Sequence, residues 1–202
     1  MGVDTTLFRN YGDTKEELDI EGFVIGYVGV LREWVDLRPV FEALKDLNKE
    51  IKMIVVGKEG YFRENIELAK RCGVFDRVTF TGMVPYSQVP KYISAMDVCL
   101  IPFKRNEITQ NALPLKLFEY MACGKPVISS EIPGVKHVAG DRVMYASTRD
   151  EYRKKILNLY IDEKKRKEMG KTGWKLIEGG YNWKRIVDRM EKILLRTAGE
   201  VT

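Results

Sequence analysis

Residues Asn111–Ser130 read NALPLKLFEYMACGKPVISS, and the fold turns on how this stretch is read. Pro114 suits the first turn of a helix, where its missing N–H is one the helix leaves unpaired anyway. Leu117, Phe118 and Met121 can all turn toward a sheet. Gly124 ends the helix, because glycine enters the left-handed C-cap conformation without a Cβ penalty, and Pro126 keeps the helix from restarting. KPVISS then reads as a short apolar strand. A glycine-closed helix followed at once by a buried strand is half of a parallel βαβ unit.

The flanking sequence repeats that unit. FVIGYVGV (Phe23–Val30), IKMIVVG (Ile51–Gly57), RVTFTG (Arg77–Gly82), DVCLIPF (Asp97–Phe103) and RVMYA (Arg142–Ala146) are apolar, β-rich runs, as strands covered on both faces read. Helical stripes lie between them: Val40, Phe41, Leu44 and Leu47 in RPVFEALKDLN, a segment YFRENIELAKRCG closed by Gly73, and Val89, Tyr92, Ile93 and Met96 in PYSQVPKYISAM, with Ser87 or a neighbour as its cap. Three helical segments finish the chain, RDEYRKKILNLYID, EKKRKEMGKTGWKLIE and NWKRIVDRMEKILLRTA. The last keeps Ile186, Val187, Met190, Ile193 and Leu194 on one stripe. The alternation predicts an α/β, Rossmann-like doubly wound fold with a mainly parallel sheet, helices on both faces and a helical C-terminus. No internal repeat or low-complexity linker divides it, so residues 1–202 are expected to form one domain, with residues 1–20 a loosely held polar start.

Composition narrows the functional classes. The chain has 202 residues, 45% hydrophobic and 31% charged, enough to bury a core. No apolar run approaches the ~20 residues of a membrane span, and MGVDTTLFRNYGDTKEELD lacks the apolar core of a signal peptide. Three cysteines, Cys72, Cys99 and Cys123, are few and odd in number, and Cys99 and Cys123 in their apolar contexts are read as buried reduced thiols, which points to a cytoplasmic protein. The charge is uneven. Residues 151–202 hold 14 Lys+Arg and 8 Asp+Glu, a net of +6, and the other 150 residues hold 20 and 21. KKRK (Lys164–Lys167) is the densest run. A solvated helix face explains it; attraction to an anionic membrane surface, here the inner membrane face, is the functional alternative. No zinc spacing and no aromatic RNA-binding signature supports nucleic acid.

Ligands of open α/β sheets bind beyond the carboxyl ends of the strands. That singles out the loops Gly29–Asp36, Gly57–Phe62, Gly82–Ser87, Pro102–Pro114 and Ser129–His137. In the opening stretch Lys116 and Glu119 are three residues apart and share a helix face. Free N–H groups at a helix start and the positive end of its dipole attract an anion, and Lys116 adds a full charge for phosphate. Glu119, one turn deeper, can accept two hydrogen bonds from a ribose diol. The same pair also fits a weak surface interaction worth ~0.2–0.5 kcal/mol; the place of the helix after the fourth strand favours the nucleotide diphosphate. Lys58 in GKEG is a phosphate ligand or part of a surface turn. Tyr86 is a base-stacking ring or a helix cap, and Lys104 and Arg105 flank the mouth. His137, the only histidine, has no acidic or cysteine partner near it in sequence. No D-x-D occurs, and GYVG is not G-x-G-x-x-G.

The ordered set of these motifs resembles the donor-binding half of retaining glycosyltransferases of the GT-B fold, glycosyltransferase group 1 or family 4-like, a group that includes glycogen synthases and bacterial mannosyl- and glucosyltransferases. GVDTTLF (Gly2–Phe8), TFTGMVPYSQVPKYISAMDVCLIPF (Thr79–Phe103), FEYMACGKPVISS (Phe118–Ser130) and YNW (Tyr181–Trp183) carry the likeness, from residue 2 to about 195. It implies donor contacts by Gly29, Val30, Arg32, Gly57, Lys58, Met83, Val84, Ala112, Leu113, Pro114, Lys116 and Glu119, with Lys116, Glu119 and Asn111 in the reaction. It implies no metal or other cofactor, a nucleotide diphosphate sugar as donor, and transfer with retention to a glycan, lipid or small molecule. Two departures stand out. Asn111 occupies the position of the family's first motif glutamate, eight before Glu119, and Val30 replaces an arginine of the first loop, so that Arg32 or Lys116 must serve the diphosphate. Such enzymes have two domains. The chain starts where the second begins, so an N-terminal acceptor domain is expected as partner, crossed by the terminal helix 181–198, and the isolated domain is expected to be inactive. The alternatives are a non-catalytic nucleotide-sugar-binding or assembly domain, a sugar-nucleotide epimerase of the same fold, and a basic nucleic-acid binder.

Overall fold

The computed structural model describes residues 1–197. Six strands form one sheet, β1 (Phe23–Val28), β2 (Ile51–Val56), β3 (Val78–Gly82), β4 (Val98–Ile101), β5 (Val127–Ser129) and β6 (Met144–Tyr145). Their order is β3-β2-β1-β4-β5-β6 and every pairing is parallel. β1 pairs with β2 through its full length and with β4 on its other side. Successive crossovers therefore leave β1 in opposite directions, and the crevice between β1 and β4 is the topological switch point. All six residues of β1 are buried, which explains its unbroken apolar sequence.

Nine helices complete the described chain: α1 (Arg38–Lys45), α2 (Phe62–Arg71), α3 (Val89–Ala95), α4 (Glu107–Gln110), α5 (Leu115–Ala122), α6 (Pro133–Ala139), α7 (Arg149–Ile161), α8 (Glu163–Leu176) and α9 (Trp183–Thr197). Two of them, α4 and α6, lie in segments expected to be loops. α4 is a single turn held by a reciprocal capping box between Asn106 and Thr109, and α6 starts on Pro133. Pro114 is the residue before α5, in extended conformation, one position earlier than expected. α3 is preceded by a 3-10 turn at Tyr86–Gln88 and has no side-chain cap, so the cap sought near Ser87 is absent.

The polar start is not loose. Val3 and Phe8 are buried, Val3 bridges to Asn182 through hydrogen bonds on both sides (Val3 N to Tyr181 O, 2.9 Å; Trp183 N to Val3 O, 3.1 Å), and Lys15 pairs with Asp97 at 2.7 Å. Hydrophobic side chains at alternate distances in an otherwise polar segment are too few to give a periodic signal, yet two of them suffice to fasten it. α9 behaves oppositely. Ile186 is partly covered next to Gly2, but Trp183, Val187, Met190, Ile193 and Leu194 are each more than half exposed, so the rest of its apolar stripe has no cover among the described residues. Ala198, the expected end of that helix, lies outside the described residues. No helix is long and apolar enough to cross a membrane among them. Cys99 and Cys123 are buried free thiols.

Candidate functional site

A cleft of about 630 Å³ opens at the C-terminal ends of β1 to β4, over the switch point. Its floor is backbone. Gly29 ends β1 with φ +127° and Gly57 ends β2 with φ +134°. A Cβ on Gly57 would lie 2.4 Å from the Gly29 carbonyl oxygen, so the two loops touch peptide to peptide and only glycine fits. The end of β1 is further pinned from α5 and from within. The Val28 N–H donates to the buried Tyr120 hydroxyl at 2.8 Å, and the Tyr27 hydroxyl donates to the Val30 carbonyl at 2.9 Å.

Lys116 reaches into this cleft from the first turn of α5. Its Nζ lies 5.2 Å from the centre of the Tyr27 ring and 5.1 Å from that of Phe103, a distance at which ring faces attract a cation. It makes no ion pair among the described residues, Glu119 included. Burial lowers its ammonium from 10.5 to about 8, opposed by the charge of Glu119. A half-buried cation with no ion-pair partner among the described residues, at a helix start that no side chain caps, is placed to attract an anion. Glu119 is 8% exposed and accepts a hydrogen bond from the Tyr86 hydroxyl at 3.2 Å. Burial raises its carboxyl, while Tyr86 and Lys116 pull the other way. The reading of Lys116 and Glu119 as a weak surface pair therefore does not hold: neither is freely solvated and they do not pair.

Of the residues expected to bind, Gly29, Val30, Gly57, Lys58, Met83, Val84, Ala112, Leu113, Pro114, Lys116 and Glu119 all line this one cleft. Two do not. Arg32 is exposed and faces a separate groove with Asp36, Tyr61 and Lys104, because the short loop turns back when the Arg32 N–H bonds to the Val30 carbonyl. Arg32 thus does not replace the arginine missing at Val30. Asn111 is exposed at the end of α4, where its amide donates to the Glu107 carbonyl at 3.2 Å, outside the cleft. His137 and Arg105 share a shallow depression elsewhere. The cleft also contains Trp34, Glu59, Phe103, Ile108 and Thr109, which the sequence reading passed over. Trp34 and Phe103 stand in loops already singled out, at the ends of β1 and β4, and an aromatic residue there was the signal available. Thr109 is recruited by α4: its hydroxyl donates to the Lys104 carbonyl at 2.6 Å and fixes the cleft wall.

Comparison with known proteins bears on the family and the fold. The family described as "Glycosyl transferases group 1" matches residues 13–176. A 2-deoxystreptamine glucosyltransferase of Streptomyces kanamyceticus is 32% identical over 123 residues, 59% of this chain and 30% of that protein. Sucrose-phosphate synthase of Thermosynechococcus elongatus superposes with a TM-score of 0.85 at 22% identity, over 99% of this chain and 52% of that one. Anabaena HepE, solved with UDP-glucose, superposes with a TM-score of 0.83 at 20% identity, over 96% of this chain and 55% of that one. The chain thus spans about half the length of these solved structures. Both superpositions place the six-stranded sheet in the GT-B fold. With a match over residues 13–176, the chain belongs to the group 1 glycosyltransferases.

Proposed function

We propose that this chain is the donor-binding domain of an enzyme that moves a hexose, with retention, from a nucleotide diphosphate sugar to a glycan, lipid or small-molecule acceptor. The observation that carries the reading is Lys116, a cation held over two rings without a counter-anion, between a glycine floor and an uncapped helix start. The diphosphate lies against Lys116 and the α5 N–H groups, and the ribose diol against Glu119. As the sugar leaves, negative charge grows on the diphosphate, and preorganised dipoles and the ammonium stabilise that charge. The base lies by Met83 and Val84. Asn111 takes no part, since its side chain is turned outward. No metal is required, because Lys116 supplies the positive charge. The UDP-glucose bound to HepE supports a nucleotide-sugar donor here.

The acceptor is bound by an N-terminal domain whose surface covers the apolar stripe of α9, and the domain alone binds nucleotide without turnover. In the cytoplasm the basic face of α7 and α8 attracts an anionic membrane surface. Nuclear magnetic resonance of the amide backbone tests the site: UDP, GDP and ADP are each added, and at least one should shift Gly29, Gly57, Val84 and Lys116 together. Shifts absent from these four, or confined to the basic helices α7 and α8, would sink the reading.

A further inference from the structure

Glu119 is buried, and nothing on its own helix holds its carboxylate in place. Among the described residues, the one hydrogen bond it receives from a side chain comes from Tyr86, 33 residues away, in the 3-10 turn after β3. Tyr86 is itself an exposed residue on a short turn, and a solvated tyrosine there would sample several rotamers. It is held instead by Phe8. The two rings meet edge to face, with centroids 5.4 Å apart and planes at 62°, a favoured aromatic geometry. Phe8 is 1% exposed, and its segment is anchored in turn by the Val3 bridge to Asn182, next to the start of α9.

We propose that Tyr86 is a positioning residue for Glu119 and takes its own place from Phe8, so that the opening segment of the chain is a built part of the cleft. The inference rests on the donor-site reading. In that reading Glu119 must present its carboxylate to a ribose diol, and a carboxylate free to rotate would pay for its ordering on binding. The Tyr86 hydroxyl fixes one oxygen and leaves the other open to the cleft. Tyr86 therefore acts through its hydroxyl, while its ring serves to sit on Phe8.

The charged and titratable groups around the Glu119 carboxylate are Tyr86 and Lys116, with Tyr120 and Cys123 on its own helix and Asp4 near Tyr86. Two readouts on the whole chain test the assignment, with wild type, Tyr86→Phe, Tyr86→Ala and Phe8→Leu compared after circular dichroism confirms folding. One is the titration of the Glu119 side-chain carboxyl carbon by nuclear magnetic resonance. The other is calorimetric affinity for UDP, GDP and ADP between pH 4.5 and 7. Tyr86→Phe keeps the ring and removes one hydrogen bond to a carboxylate. It should move the Glu119 titration to higher pH, weaken nucleotide binding roughly tenfold, and carry the acid limb of binding upward with it. Phe8→Leu should act in the same direction, less strongly. If Tyr86→Phe matches wild type in both readouts and only Tyr86→Ala differs, the ring alone matters and the proposal is overturned. If wild type binds none of the three nucleotides while Tyr86→Phe still moves the Glu119 titration, the positioning contact stands and the donor-site reading alone falls.

Discussion

Replacing Lys116 by methionine should do two opposite things. By itself the buried ammonium is destabilising. Its fall from 10.5 to about 8 corresponds to about 3 kcal/mol against the charged form, and water at the open side together with the two ring faces reduces the net cost to about 1–3 kcal/mol. The sign follows from proton binding. Between pH 8 and 10.5 the unfolded chain holds a proton that the folded chain has lost, so stability rises with pH across that window and the cost is fully present below it. Methionine fills the same space without charge. At pH 7 the Lys116→Met chain should therefore melt higher, by about 2–12 °C for a domain of this size, and the gap should close as pH approaches 10.5. Binding moves the other way. An ammonium and a phosphate about 4 Å apart are worth about 4 kcal/mol at an effective dielectric of 20, so loss of roughly 2–4 kcal/mol after resolvation should weaken a nucleoside diphosphate by roughly 30- to 1000-fold. In wild type, affinity should fall about tenfold from pH 7 to pH 9 as the ammonium is lost, and the variant should be flat over that range. Differential scanning fluorimetry and titration calorimetry read the two effects. A variant that melts lower at pH 7 and binds as wild type would refute the claim that this cation is held for a ligand.

The other expectations concern the frame around that cation. Gly57→Ala should lower stability by about 2–4 kcal/mol in urea denaturation and abolish nucleotide binding, because its Cβ would lie 2.4 Å from the Gly29 oxygen at φ +134°. Arg77→Lys should cost about 1–3 kcal/mol, since the guanidinium donates to the carbonyls of Leu44, Leu47, Asn48 and Ile51 and one ammonium cannot reach all four. Asn111→Ala and Arg32→Ala should each leave nucleotide affinity within about twofold of wild type in calorimetry, because both side chains lie outside the cleft.

Much of this was legible in the sequence for a physical reason. A strand buried on both faces cannot alternate, so β1, β2 and β4 announce themselves as unbroken apolar runs, and glycine marks the ends of β1 to β3, α2 and α5. The cleft follows from that pattern, because ligands gather where the strand order reverses, and eleven of the residues expected there do meet. What stayed hidden depends on contacts between distant segments. α4 rests on one capping box, too short to show a period. The direction of Arg32 is decided by a backbone turn in which its N–H bonds to the Val30 carbonyl, and Asn111 is turned outward by that same α4. Phe8 was visible as the last residue of the GVDTTLF motif, but its role was not, because one aromatic in a polar segment reads the same whether it is solvated or packed on Tyr86.

The most direct measurement is calorimetric titration of UDP, GDP and ADP into wild type, Lys116→Ala and Glu119→Ala at pH 7. The donor-site account predicts that one nucleotide binds wild type clearly best, that both substitutions weaken it, and that free pyrophosphate competes in wild type but not in Lys116→Ala. Binding of all three nucleotides with equal affinity, unaffected by either substitution and abolished by salt, would contradict it and assign the binding to the basic C-terminal helices instead.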